Sequence, residues 1–228
     1  MTPACALALE ASFGSVVRWR DEFTAMGRAV RGGAGGGAGG GGAGGVLLVF
    51  KPHDGALVNR PAAEHAQTVG GGVSILAMDM HEDADPSDHG AAAAAHVDAR
   101  IDNIDWAHVY ARYQAAVYAA SEGYGASQEE AAGATVLDVR RAGVFDQADS
   151  IVAGAQWRDP ATVAQWAADL QPGERVVVYC VHGHEVSRAV ALRLRAAGVD
   201  AHFLRGGIDA WMAAGRPVAP KPDAKAAR

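Results

Sequence analysis

The chain has two cysteines, Cys5 and Cys180, and only the second stands where a nucleophile would be useful. Cys180 directly follows the apolar run Arg175-Val-Val-Val-Tyr179. Val181-His-Gly-His-Glu-Val186 separates it from a helical pattern that begins near Ser187. A loop that curls round a sulfur and runs into a helix start aims backbone N–H groups at it and favours the thiolate. Gly183 allows a tight curl, and Ser187 can cap the helix. The position also suits a structural thiol, because small cysteines are common in cores. His182 and His184 have the chemistry of proton carriers, but a loop histidine without a known partner is ordinarily a solvated or backbone-bonded ring. Arg188 is the cation expected near the sulfur, while Asp138 and Arg140 are expected to brace a strand end as an ion pair. A second group, His81, Asp83, Asp85, Asp88 and His89, has side chains that can ligate iron, zinc or manganese. We read it as a solvated acidic turn.

Alternating strand and helix patterns position the cysteine. Thr135–Val139, Arg175–Tyr179 and Ala201–Leu204 read as strands. The second is apolar on both faces, as in a parallel sheet covered by helices on both sides. Helices are expected from Pro160, with Val163, Trp166, Ala167 and Leu170 on one face, from Ser187 to Ala197 with Gly198 as stop, and after Gly206-Gly207 with Ile208, Trp211 and Met212. This predicts a three-layer α/β domain with a mostly parallel sheet, its site beyond the carboxyl ends of the strands. Ahead of it, residues 8–23 carry Phe13, Val16, Val17, Arg20 and Phe23 at helical spacing. Val46–Pro52, Ala56–Asn59 and Val73–Asp79 read as strands, the first two joined by the turn Pro52-His-Asp-Gly55. Helices follow at 90–100 and 106–119, so the front half is α+β.

The expected organisation is a first domain at 1–122 with a Gly-rich flexible insert at 32–45, a linker at 123–133, a second domain at 134–219, and a disordered tail at 220–228. The insert cannot be a phosphate loop, since no Lys-Ser/Thr follows it. Half of the 228 residues are hydrophobic, but nearly half of those are alanines, which bury little area. The net charge is −6, with the surplus of acid in the first domain and no massed basic patch, so no nucleic-acid partner is expected. Two distant cysteines support neither a disulfide framework nor a thiol zinc site. With no export signal and no apolar run of membrane-spanning length, we expect a cytoplasmic protein without membrane association.

Four segments in order, Val136-Leu-Asp-Val-Arg140, Val152-Ala-Gly-Ala155, Val178-Tyr-Cys-Val-His-Gly-His184 and Leu204-Arg-Gly-Gly-Ile-Asp-Ala-Trp211, resemble the rhodanese (sulfurtransferase) domain. The resemblance covers about 134–217. It implies that Cys180 accepts a sulfane sulfur as a persulfide and hands it to a nucleophile such as cyanide or a thiol. Val181, His182, Gly183, His184, Glu185, Val186 and Arg188 form the substrate-binding loop. Many members carry a basic residue late in that loop, where this chain has His184 and Glu185. One carboxylate about 6 Å from a unit negative charge costs roughly 0.7 kcal/mol at ε ~80 and about 2.8 kcal/mol at ε ~20. A neutral or thiol-type persulfide is therefore the expected donor, rather than thiosulfate. A phosphatase variant of the fold needs an arginine where Val186 stands, so phosphatase activity is not expected.

The front half is similar to the C-terminal domain of iron/manganese superoxide dismutases. The similarity rests on Phe13-Gly-Ser15, a three-stranded sheet ending in Asp79, Ile104-Asp-Trp106 and Val109-Tyr-Ala-Arg-Tyr113. It implies an Asp-x-x-x-His segment in which Asp and His bind the metal and a Glu lies at the dimer contact. Here the segment is Asp79-Met-His-Glu-Asp83, which keeps Asp79 and Glu82 and replaces the histidine by Asp83. Two further histidine ligands are implied on an N-terminal hairpin ahead of the matched segment. Asp79 alone cannot hold iron or manganese, so the expectation is a metal-free packing or homodimerisation module without cofactor. Two function classes follow, a sulfurtransferase with a small sulfur donor and a thiol or cyanide acceptor, and a non-catalytic protein that senses sulfur or an oxyanion. A working dismutase is third.

Overall fold

Pro3 in the first turn and the Thr2 hydroxyl, which accepts from the Cys5 amide at 3.3 Å, start helix α1, Pro3–Phe13. Gly14 ends it with φ +84 and donates its amide to Glu10 O. The pattern read as one helix over 8–23 is therefore broken, and α2 begins anew at Val16 and runs to Arg31. Its inner face is Trp19 and Phe23, both buried, whereas Val17 of the expected face is 67% exposed. The computed structural model describes residues 1–31, 44–63, 70–79 and 91–222. Most of the Gly-rich insert, the acidic turn with His81, Glu82, Asp83, Asp85, Asp88 and His89, and residues 223–228 of the expected tail lie outside these.

Two units are distinguished, Met1–Pro52 with Ala56–Ala116, and His53–Gly55 with Val117–Arg228. In the first, strands β1 (Gly44–Lys51), β2 (Ala56–Ala63) and β3 (Val73–Asp79) form an antiparallel sheet in the order β2-β1-β3. Helices α3 (Ala91–Asp102) and α4 (Trp106–Ser121) follow. Its core is aromatic. Trp19 meets Phe23 and Trp106 at 5.4 Å each, and Phe50 of the central strand meets Tyr113 edge-on at 5.8 Å. Such tilted and edge-to-face pairs add to the area they bury.

The second unit holds a five-stranded sheet in the order β4-β9-β8-β5-β7, with every neighbouring pair parallel. Its strands are β4 (Gly125–Ala126), β5 (Thr135–Asp138), β7 (Gln156–Trp157), β8 (Arg175–Tyr179) and β9 (Asp200–Leu204). β6 (Ser150–Val152) pairs apart, antiparallel to β10 (Val218–Pro220). The segment 123–133, read as a linker, instead contributes β4 at the sheet edge and the buried Ala126 and Ala131 to the core. The helical elements are α5 (Ala142–Asp146), α6 (Val163–Trp166), α7 (Glu185–Ala196) and α8 (Gly207–Ala213). The helix expected from Pro160 is three short pieces, with 3-10 turns at Pro160–Thr162 and Ala167–Asp169 flanking α6. Val163 and Trp166 are buried as their spacing implies.

β8 lies centrally, and Val176, Val177, Val178 and Tyr179 are each fully buried. The double-sided apolar run thus puts Cys180 at the carboxyl end of the most enclosed strand, where α/β folds place their sites.

Candidate active site

Cys180 is buried, 6% exposed, and its Sγ lies 3.2 Å from Ser187 Oγ on the first turn of α7. Ser187 Oγ also donates to His184 O at 3.3 Å. The loop between strand and helix is pinned from the opposite side by the β9–α8 turn: Ile208 N donates to Cys180 O at 3.0 Å and Asp209 N to Val181 O at 3.1 Å. This docking explains two glycines. Gly183 has φ +70, and a Cβ there would stand 2.6 Å from Leu204 O; Gly207 has φ +59, and a Cβ would overlap Val181 O and Cys180 O. Among the described residues, the amides of Val181, His182, Gly183, His184 and Val186 have no protein acceptor. Such amides are available to an anion at the mouth of the loop.

A cavity of about 150 Å³ opens over the sulfur. It is lined by Cys180, Val181, His182, His184, Glu185 and Val186 from the loop, and by Arg140, Arg141 and Val144 from the segment after β5. Glu185 is buried. His182 Nδ1 lies 2.7 Å from Asp209 Oδ2, and its ring is 5.2 Å from that of His184. Gly183 and Arg188, both expected in the substrate-binding loop, do not line the cavity. Gly183 shapes the loop from behind. Arg188 donates from Nε to Gly183 O at 3.0 Å, reaches Ser121 Oγ at 3.3 Å and Glu122 at 3.7 Å, and lies 4.1 and 4.0 Å from the Tyr118 and Phe203 rings. A guanidinium sandwiched this way is a brace. The Tyr118 phenol is pushed above the usual tyrosine range, chiefly by burial, with Arg188 opposing and Glu185 and Cys180 adding to the rise.

Asp138 and Arg140 form the expected buried pair, with Arg140 Nη2 2.5 Å from Asp138 Oδ2 and Nε bonded to both carboxylate oxygens. Arg140 Nη2 also donates to Ser150 O at 2.8 Å, and Tyr179 Oη donates to Asp138 Oδ2 at 2.9 Å. Burial, then Asp138, pushes the Tyr179 phenol far above its usual range, so it stays a donor. Sequence reasoning missed Arg141, Val144 and the contact of Ser187 with the sulfur. Arg141 immediately follows the Leu-Asp-Val-Arg motif, which was the available signal for it.

A family model described as a rhodanese-like domain matches residues 119–214, and one for iron/manganese superoxide dismutases, C-terminal domain, matches 1–112. The chain is a fusion of these two domains. Its dismutase-like part is 49% identical over 110 residues to "Superoxide dismutase [Fe]" of Cupriavidus metallidurans, covering 48% of this chain and 51% of that protein. It is 32% identical over 117 residues to "Superoxide dismutase [Mn] 1" of Halobacterium salinarum, covering 50% and 52%. The chain thus spans about half the length of the curated relatives it matches. A rhodanese-related protein of Thermoplasma volcanium is similar with a TM-score of 0.37 and 23% identity, over 42% of this chain and 97% of that one.

In the dismutase-like domain, Asp79 ends β3, and its backbone carbonyl accepts from the Arg100 guanidinium. No three His, Cys, Asp or Glu side chains among the described residues are grouped as a metal ion requires. Of the matched segment Asp79–Asp83 only Asp79 lies among the described residues, and a single carboxylate does not make an iron or manganese site. Among the described residues no helix is long and apolar enough to cross a membrane.

Proposed function

We propose that the rhodanese-like domain is a sulfurtransferase with Cys180 as its nucleophile. The carrying observation is the place of Sγ, at the end of β8, beneath the cavity and at the start of a loop in which the amides of Val181, His182, Gly183, His184 and Val186 have no acceptor among the described residues. The Cys180 thiolate attacks the sulfane sulfur of a donor, the sulfur–donor bond breaks, and the remainder leaves with the bonding pair. The product is a persulfide on Cys180, held by the loop amides. A thiolate or cyanide then attacks the outer sulfur, the S–S bond breaks, and its electron pair returns to Sγ. No oxidant or reductant is consumed across the cycle.

In this reading Ser187 hydrogen-bonds the sulfur, and Arg188 positions the loop through Gly183 O. Val181, His182, His184, Glu185 and Val186 shape the entrance. The protein acts in the cytoplasm, with no nucleic-acid or membrane partner. The dismutase-like domain serves as a metal-free packing or homodimerisation module, because Asp83 stands where the family segment places its histidine.

Treatment of the full chain with a sulfane donor, followed by intact mass and peptide mapping, tests the assignment. One added sulfur atom on Cys180, discharged by cyanide as thiocyanate and absent from Cys180→Ser, is the expected result. Sulfur retained on Cys180 in the presence of cyanide and thiols supports the sensing role instead, and no sulfur on Cys180 rejects both.

A further inference from the structure

Resting on the sulfurtransferase reading, the charges round the cavity single out one residue for donor selection. Two nearby arginines and one histidine are committed. Arg140 is held by Asp138 and Ser150 O, Arg188 by Gly183 O, Ser121 and Glu122, and His182 by Asp209. Glu185 lines the cavity and is buried, so it opposes any anion that enters. Arg141 also lines the cavity, and its guanidinium has no hydrogen-bond or ion-pair partner among the described residues. Its backbone is fixed, since Arg141 O accepts from Val144 N at 2.8 Å and Phe145 N at 2.9 Å. The arginine is thus presented from a rigid turn outside the catalytic loop, and its side chain is free to meet a ligand.

The geometry points to Arg141 as the specificity residue for the sulfur donor: it takes the oxyanion end of a small anionic donor while the sulfane sulfur faces Cys180. Volume agrees with charge. A cavity of about 150 Å³ is the size that holds a benzene-sized guest elsewhere. A donor of a few heavy atoms that reaches Sγ therefore carries its charged end in among the lining residues. Arg141 offsets Glu185 and reverses the donor preference that Glu185 alone suggests.

The test uses thiosulfate and separates binding from turnover. By calorimetry on full-length Cys180→Ser protein, thiosulfate binds, and adding Arg141→Ala weakens it about tenfold, the loss of one charge-assisted contact. Adding Arg141→Lys instead keeps part of the affinity, and salt weakens the binding that depends on Arg141. With Cys180 present, Arg141→Ala lowers the ratio of kcat/KM for thiosulfate to that for an alkyl hydropersulfide, which carries no oxyanion group and leaves as the alkyl thiolate, by a similar factor. Equal thiosulfate affinity with and without Arg141, or no binding to the Cys180→Ser protein, overturns the proposal. Arg141-dependent binding without sulfur on Cys180 keeps Arg141 as the anion-binding residue of the cavity but removes the transferase reading, and with it the role in donor selection. Sulfur on Cys180 with Arg141-independent binding does the reverse.

Discussion

Ser187 is fully buried, and its hydroxyl sits 3.2 Å from Sγ, where either atom can donate. When the sulfur is anionic, the hydroxyl must donate to it, at the expense of its bond to His184 O. Ser187→Ala removes that donor at a cost of about 1 kcal/mol. We expect roughly fivefold slower alkylation of Cys180 by iodoacetamide at neutral pH, with the thermal midpoint nearly unchanged; an unchanged rate would remove Ser187 from the site. Arg188 illustrates a limit of sequence reasoning at this scale. Next to the expected helix start at Ser187, it reads as the cation near the sulfur. Tyr118, Ser121 and Phe203, which turn it into a brace, are remote in sequence, and no local pattern connects them. Arg141 escaped notice for the converse reason, because it reaches the cavity from a different element.

Among the elements, β5, β8 and β9 were readable because buried parallel strands are continuous apolar runs. The break between α1 and α2 was not, since the helical period continues across Gly14 and only its left-handed backbone stops the helix. Gly206-Gly207 was legible as a turn, but its docking on the catalytic loop is a close approach between segments that sequence spacing does not reveal. Gly207→Ala combines a positive φ with overlap on Val181 O and Cys180 O. Urea titration of the full chain should show the rhodanese-like domain destabilised by about 2 kcal/mol or more, with sulfur transfer reduced. The Asp138–Arg140–Tyr179 network gives a second prediction. Asp138→Ala strands a buried guanidinium, and about 3–5 kcal/mol of stability is lost. Burial and the neighbouring Asp138 carboxylate raise the Tyr179 phenol's folded pKa above the ordinary tyrosine range. Its contribution is therefore complete below about pH 10 and is lost as pH rises toward the folded value. Thermal melts of wild type should fall through that alkaline window, and Tyr179→Phe should be less stable at neutral pH and show a shallower alkaline decline.

At the scale of the whole molecule, the chain combines a rhodanese-like domain at 119–214 with a dismutase C-terminal-like domain at 1–112. The fusion was legible because each half carries several ordered motifs. The linker was misplaced because β4 is only two residues long and has no periodicity to read. The dismutase-like domain is held by an aromatic cluster of Trp19, Phe23, Phe50, Trp106 and Tyr113, and the proposed module role asks no more of it than shape. Metal analysis of protein grown with added iron and manganese should give well below one ion per chain, together with background activity in a superoxide assay. Stoichiometric metal with superoxide turnover would contradict the module reading.

The most direct measurement is the mass of Cys180 before and after a sulfane donor, followed by cyanide. The account predicts gain of one sulfur atom at that residue and its release as thiocyanate, with neither event in Cys180→Ser. A Cys180 that never acquires sulfur, in protein that is folded and otherwise intact, would contradict it.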